Sequence, residues 1–120
     1  MRGAIVEIAP YCTPEGLVIR VNETRIDAAV AIEFKEAVRQ AVDLPGDPVI
    51  MDLSQVAFLD SSGLGAVVAI MKMLAPDRKL ELAGLTPAVA KVFRLTRMDQ
   101  VFTIHQQPPP AVAPGLSATG

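Results

Sequence analysis

Val49-Ile50-Met51-Asp52-Leu53-Ser54-Gln55-Val56-Ala57-Phe58-Leu59-Asp60-Ser61-Ser62-Gly63-Leu64-Gly65 reads as a strand, a loop and the first turn of a helix. Val49 to Leu53 is apolar except for Asp52, which suits a short strand buried on both faces. Asp60, Ser61 and Ser62 each carry an oxygen that can accept from the free amides of a helix start. Nearly every residue from Gly63 to Leu74 is apolar, and Ala75-Pro76-Asp77 stops the run. The helix is therefore predicted to be largely buried.

Upstream, Ala4 to Ala9 alternates weakly before Pro10, and Gly16 to Val21 is apolar and rich in β-branched residues. Thr13-Pro14-Glu15-Gly16 has turn chemistry, so these segments are expected to form a strand pair. Ile26, Ala29, Val30, Phe34, Ala37, Val38, Ala41 and Val42 recur at three and four, predicting an amphipathic helix. Asp27 is placed to cap its start, and Leu44-Pro45-Gly46-Asp47-Pro48 ends it. Downstream, Lys79 to Ala83 alternates as a strand, and Pro87 opens a helix carrying Val89, Val92, Phe93 and Leu95. Val101 to Ile104 reads as a last short strand. The order β-β-α-β-α-β-α-β predicts an α/β fold, a mixed sheet of about five strands with three main helices packed on it. Residues 1–105 form the expected domain. Gln106 to Gly120 has four of the ten prolines and no apolar period, and reads as a disordered Pro-rich tail whose deletion leaves the domain folded.

Composition narrows the function. The chain has 120 residues, of which 51% are hydrophobic and 20% charged, enough apolar surface for one core without metal or disulfide support. A net charge of -2 and the absence of Trp argue against nucleic acid, which needs clustered cations or stacking platforms. The longest apolar stretch, Gly63 to Met71, is too short for a membrane span, and Glu7 and Pro10 interrupt the N-terminus before any signal-like run. Cys12 is the lone cysteine, read as a partly buried small hydrophobe. A cytoplasmic protein with a protein partner is expected. The methionines, Met51, Met71, Met73 and Met98 among them, are read as core filler.

The segment from Val49 to Gly65, and above all Asp60-Ser61-Ser62-Gly63-Leu64-Gly65, resembles the signature of STAS domains, the family of anti-sigma factor antagonists. Looser likeness extends through Arg25-Ile26-Asp27-Ala28-Ala29 and the order of elements. The resemblance implies a phosphorylation-controlled switch that in its unphosphorylated form sequesters an anti-sigma factor with serine kinase activity. It implies Ser62, the second serine of the pair, as the phosphorylation site, and Asp27, Asp60, Ser61, Ser62, Gly63 and Leu64 as the partner surface. It also implies a serine phosphatase as the resetting partner, no cofactor and no catalysis of the domain's own, and a monomer or weak dimer. One departure stands out: Thr24 occupies a position, three residues before Asp27, where the family often has glycine.

The physics of the turn agrees with that use. A phosphate at a helix start meets free amides and the positive end of the helix dipole, so it is tolerated by the fold. A partner packed over the turn would instead meet a bulky dianion. The plainer alternative is that Asp60, Ser61 and Ser62 only cap a helix. A second alternative is a STAS regulatory module of another signalling system or of a lipid-transport complex. Asp52 suggests a phosphoacceptor aspartate, but no acidic pair follows an earlier strand to hold Mg²⁺. A serine hydrolase would need a base, and His105, the only histidine, reads as an edge residue after the last strand.

Overall fold

The computed structural model describes residues 5–111. The chain opens with an antiparallel hairpin, β1 (Ile8–Thr13) and β2 (Gly16–Val21), closed so that Thr13 faces Gly16 across a Pro14-Glu15 turn. The expected first strand, Ala4 to Ala9, is displaced: it runs through Pro10 to Thr13, and Ala4 lies outside the described residues. Proline ends a strand only where its missing N–H is needed, and β1 is an edge strand.

Two parallel dipeptide strands follow from distant parts of the chain, β3 (Arg25–Ile26) and β5 (Phe58–Leu59). Between them lie α1 (Ala31–Ala41) and β4 (Val49–Asp52). After β5 come α2 (Ser61–Leu74), β6 (Leu80–Ala83), α3 (Pro87–Leu95), a 3-10 turn at Met98–Gln100 and β7 (Ile104–His105). The main sheet has five strands in the order β1-β2-β4-β6-β7, antiparallel at the hairpin and parallel elsewhere. Each parallel step is spanned by a helix, the connection that parallel neighbours require. The mixed sheet with three helices is the predicted α/β architecture.

Strand alternation divides the interior. Leu17, Ile19, Val21, Val49, Met51, Leu80 and Leu82 point to the helical side and form the main core with Phe34, Val67, Ile70, Val89 and Phe93. Met51 is wholly buried there, as core filler, whereas Met73 is exposed. Val18, Ile50 and Ala83 point the other way and make a second, smaller cluster with Tyr11. Cys12, opposite Leu17 on the edge strand, is exposed, not half-buried as its residue type suggests. Arg78 fastens the end of α1 to the sheet. Its guanidinium donates to the carbonyls of Leu44 (3.0 Å), Gly46 (3.2 Å) and Val42, placing a cation at a helix C-terminus.

Two further sequence expectations need correction. The first helix does not start at Asp27: its N-cap is Val30, and Ile26 belongs to β3. The last strand is not Val101 to Ile104, because Val101 and Phe102 complete the 3-10 turn by donating to the carbonyl of Met98, and only Ile104 and His105 pair with β6. The β3–β5 pair was not foreseen at all. Among the described residues, no helix is long and apolar enough to cross a membrane.

Candidate functional site

The serine turn is built by two segments that the small sheet brings together. Thr24 accepts at its carbonyl from the amides of Ala57 (2.8 Å) and Phe58 (3.1 Å), and β3 then pairs with β5 through Arg25–Phe58 and Ile26–Leu59. That register delivers Asp27, Ala28 and Ala29 to the start of α2.

Asp60 is the N-cap of α2. One carboxylate oxygen accepts from the amide of Gly63 at 2.9 Å, and the other accepts from the amide of Ala28 at 3.3 Å. A single side chain thus caps the helix and ties down the neighbouring loop. Of the three residues able to cap, Asp60 does so; Ser61 and Ser62 are the first two helical residues, and both are exposed. Amides at these positions have no acceptor within the helix, so the end of α2 presents N–H groups beside the two hydroxyls. Asp60→Ala should cost about 1 kcal/mol, the usual worth of such a cap. Urea denaturation checks it, and Asp60→Asn, which keeps one acceptor oxygen, should lose less.

Gly63 is buried, and a Cβ there would stand 2.2 Å from the Ile26 carbonyl oxygen. Its part in the site is to let the Ile26 loop approach the helix. Leu64 is half-buried and packs against the main core. Asp27, expected as a helix cap, instead turns its own loop: one oxygen accepts from the amide of Ala29 at 3.1 Å, and the other from Arg25 Nε at 3.2 Å.

Sequence reasoning missed the flank of this surface. Arg25 lies over the ring of Phe58 at 4.5 Å from its centroid while bonded to Asp27. Phe58 is 41% exposed, which is high for an aromatic side chain in a small domain. The only signal for the pair would have been an aromatic residue in a loop two residues before a helix cap.

Asp52 is buried at the end of β4, where it accepts from the amide of Ser54 at 3.0 Å, a local turn contact. His105 is bonded to Glu81 at 2.7 Å on the last edge strand. Among the described residues, no group of three or more His, Cys, Asp or Glu side chains is placed to hold a metal ion.

The profile of the STAS domain matches residues 7–109. The chain belongs to the STAS domain family. An anti-sigma-B factor antagonist of Listeria monocytogenes is 32% identical over 80 residues, covering 66% of this chain and 70% of the relative. The crystal structure of an anti-sigma factor antagonist from Mycobacterium paratuberculosis superposes with a TM-score of 0.72 at 24% identity, over 98% of this chain and 97% of that one. The Bacillus cell fate determinant SpoIIAA in its phosphorylated form gives a TM-score of 0.58 at 20% identity, over 95% and 96% of the two chains. This STAS domain accordingly takes its place among the anti-sigma factor antagonists.

Proposed function

We propose that this STAS domain is an anti-sigma factor antagonist switched at Ser62: unphosphorylated, it binds an anti-sigma factor with serine kinase activity, and phosphorylation releases it. The observation that carries the reading is the exposed Ser62 at the second position of α2, on a turn whose fold depends on Asp60 and not on either serine. A fold relative, SpoIIAA, is known in a phosphorylated form.

In the proposed reaction the partner kinase supplies ATP, Mg²⁺ and the base. The base takes the Ser62 hydroxyl proton, Oγ bonds to the γ-phosphorus, the bond from that phosphorus to the β-bridging oxygen breaks, and ADP leaves. The new group carries roughly -1.5 to -2 charges at neutral pH and lies beside the free amides of α2, so the fold is not disturbed. A partner covering the turn would have to desolvate that dianion. A serine phosphatase would hydrolyse the ester and restore binding. The domain itself contributes position and no catalysis, and the exchange takes place in the cytoplasm.

Incubation with the partner kinase and ATP, followed by mass spectrometry, tests the assignment. Wild type and Ser61→Ala should each gain one phosphate on Ser62, and Ser62→Ala none. Phosphate on Ser61, or on neither serine, would overturn it.

A further inference from the structure

The sheet has a face that no helix covers among the described residues. Alternation sends Tyr11, Val18, Arg20, Ile50, Asp52, Glu81, Ala83 and His105 to it, away from the main core. Such a face is normally solvated in part. Yet Val18 and Ala83 are 0% exposed and Ile50 only 3%.

Over the Tyr11 and Ile50 part of this face lies the chain's own continuation past β7. The Tyr11 hydroxyl donates to the carbonyl of Pro109 at 2.9 Å, a contact between residues 98 positions apart. Pro108 and Pro109 are half-buried, and they line a cleft whose other wall includes Pro48, Ile50, Glu81 and His105. The segment's root is fixed as well: His105 is bonded to Glu81 at 2.7 Å and its carbonyl accepts from the amide of Gly84 at 3.0 Å.

The residue types match the contact. Consecutive prolines have preset φ angles and no N–H groups to satisfy, so Pro108-Pro109-Pro110 loses little entropy on docking. A tyrosine whose hydroxyl donates to a carbonyl of the proline run, set beside the apolar Val18, Ile50 and Ala83, supplies one aromatic element of the chemistry by which proteins bind polyproline segments. We propose that the helix-free face of the sheet is a polyproline-binding surface occupied in cis, with residues 106–111 as a strap held by Tyr11. The strap is independent of the serine switch, and it assigns a structural role to the first part of the segment expected to be a tail.

Tyr11 is the only tyrosine and the chain has no Trp, so its signals are unambiguous. In the intact protein, nuclear Overhauser contacts should connect the Tyr11 ring protons to the Pro108 and Pro109 ring protons. The phenol should titrate above its ordinary value of 10.0, because burial raises it, Asp52 raises it further and Arg20 opposes them. In a chain ending at His105 both charged neighbours remain, so a fall of the Tyr11 titration midpoint reports removal of the strap alone. A folded intact chain without the ring-to-proline contacts overturns the proposal, as does an unchanged midpoint in a folded truncated chain. If the truncated chain does not fold, the contacts in the intact protein decide.

Discussion

Ser62→Asp should bind the kinase partner at least about tenfold more weakly than wild type, or about 1.4 kcal/mol, while its melting temperature stays level or rises slightly. The two effects separate because they arise at different surfaces. Within the domain, a carboxylate in the first turn of α2 faces the positive end of the helix dipole, worth about 0.3–1 kcal/mol in favour of the fold. Across the interface, the same charge must be stripped of water beneath a partner evolved to meet a neutral hydroxyl. Ser62→Ala gives the complement: it should remain bound and become insensitive to ATP. Isothermal titration with the kinase, alongside thermal unfolding of each variant, measures both quantities. A Ser62→Asp variant that bound as wild type would remove Ser62 from the interface, and one that bound weakly because it was unfolded would show it in the melt.

Why the turn was legible in the sequence, and its flank was not, follows from element length. Val49 to Leu53 and Gly63 to Leu74 are long enough for apolar pattern and stop signals to agree, and the structure has β4 and α2 there. Arg25–Ile26 and Phe58–Leu59 are two residues each, too short for any period, and they form a sheet only because the rest of the fold brings them side by side. Without that pair Asp27 looks like a helix cap, since Ile26 and Ala29 fit a helical period that the chain does not take up until Ala31. Local rules failed similarly at Pro10, where an edge strand tolerates a residue that would break an inner one. At Val101 to Ile104, apolar residues looked like a strand, but Arg97 in the left-handed region begins a tight turn and leaves two paired residues. Tyr11 and Pro109 are so far apart in sequence that neither suggested the other.

Gly63→Ala should destabilise the domain by about 2 kcal/mol, lowering its midpoint by roughly 10 °C. Two effects of opposite sign compete. Replacing glycine by alanine inside a helix favours folding by about 1 kcal/mol. Against it, the new methyl would stand 2.2 Å from the Ile26 carbonyl oxygen and 3.0 Å from Leu59 Cδ1. The first obstacle is backbone, held by the β3–β5 pairing, so it cannot be relieved by a change of rotamer. Overpacking of this kind costs typically 1–3 kcal/mol and occasionally more, and the close approach to a fixed backbone oxygen puts it at the upper end of that range or beyond. Gly65, two residues on in the same helix, is the control: it is exposed, and nothing lies within 4 Å of its added Cβ. Gly65→Ala should therefore stabilise, by about 0.5–1 kcal/mol. The Gly63 variant should also bind the kinase partner less well than its fraction folded explains, because the displaced Ile26 carries Asp27 and the Arg25–Phe58 pair with it. Urea denaturation of the two alanine variants, read with partner titration at a temperature where both are folded, tests the whole chain of cause. Equal stabilisation of both would mean that the Arg25–Ala29 segment does not press on α2, and the architecture given for the serine turn would fall with it.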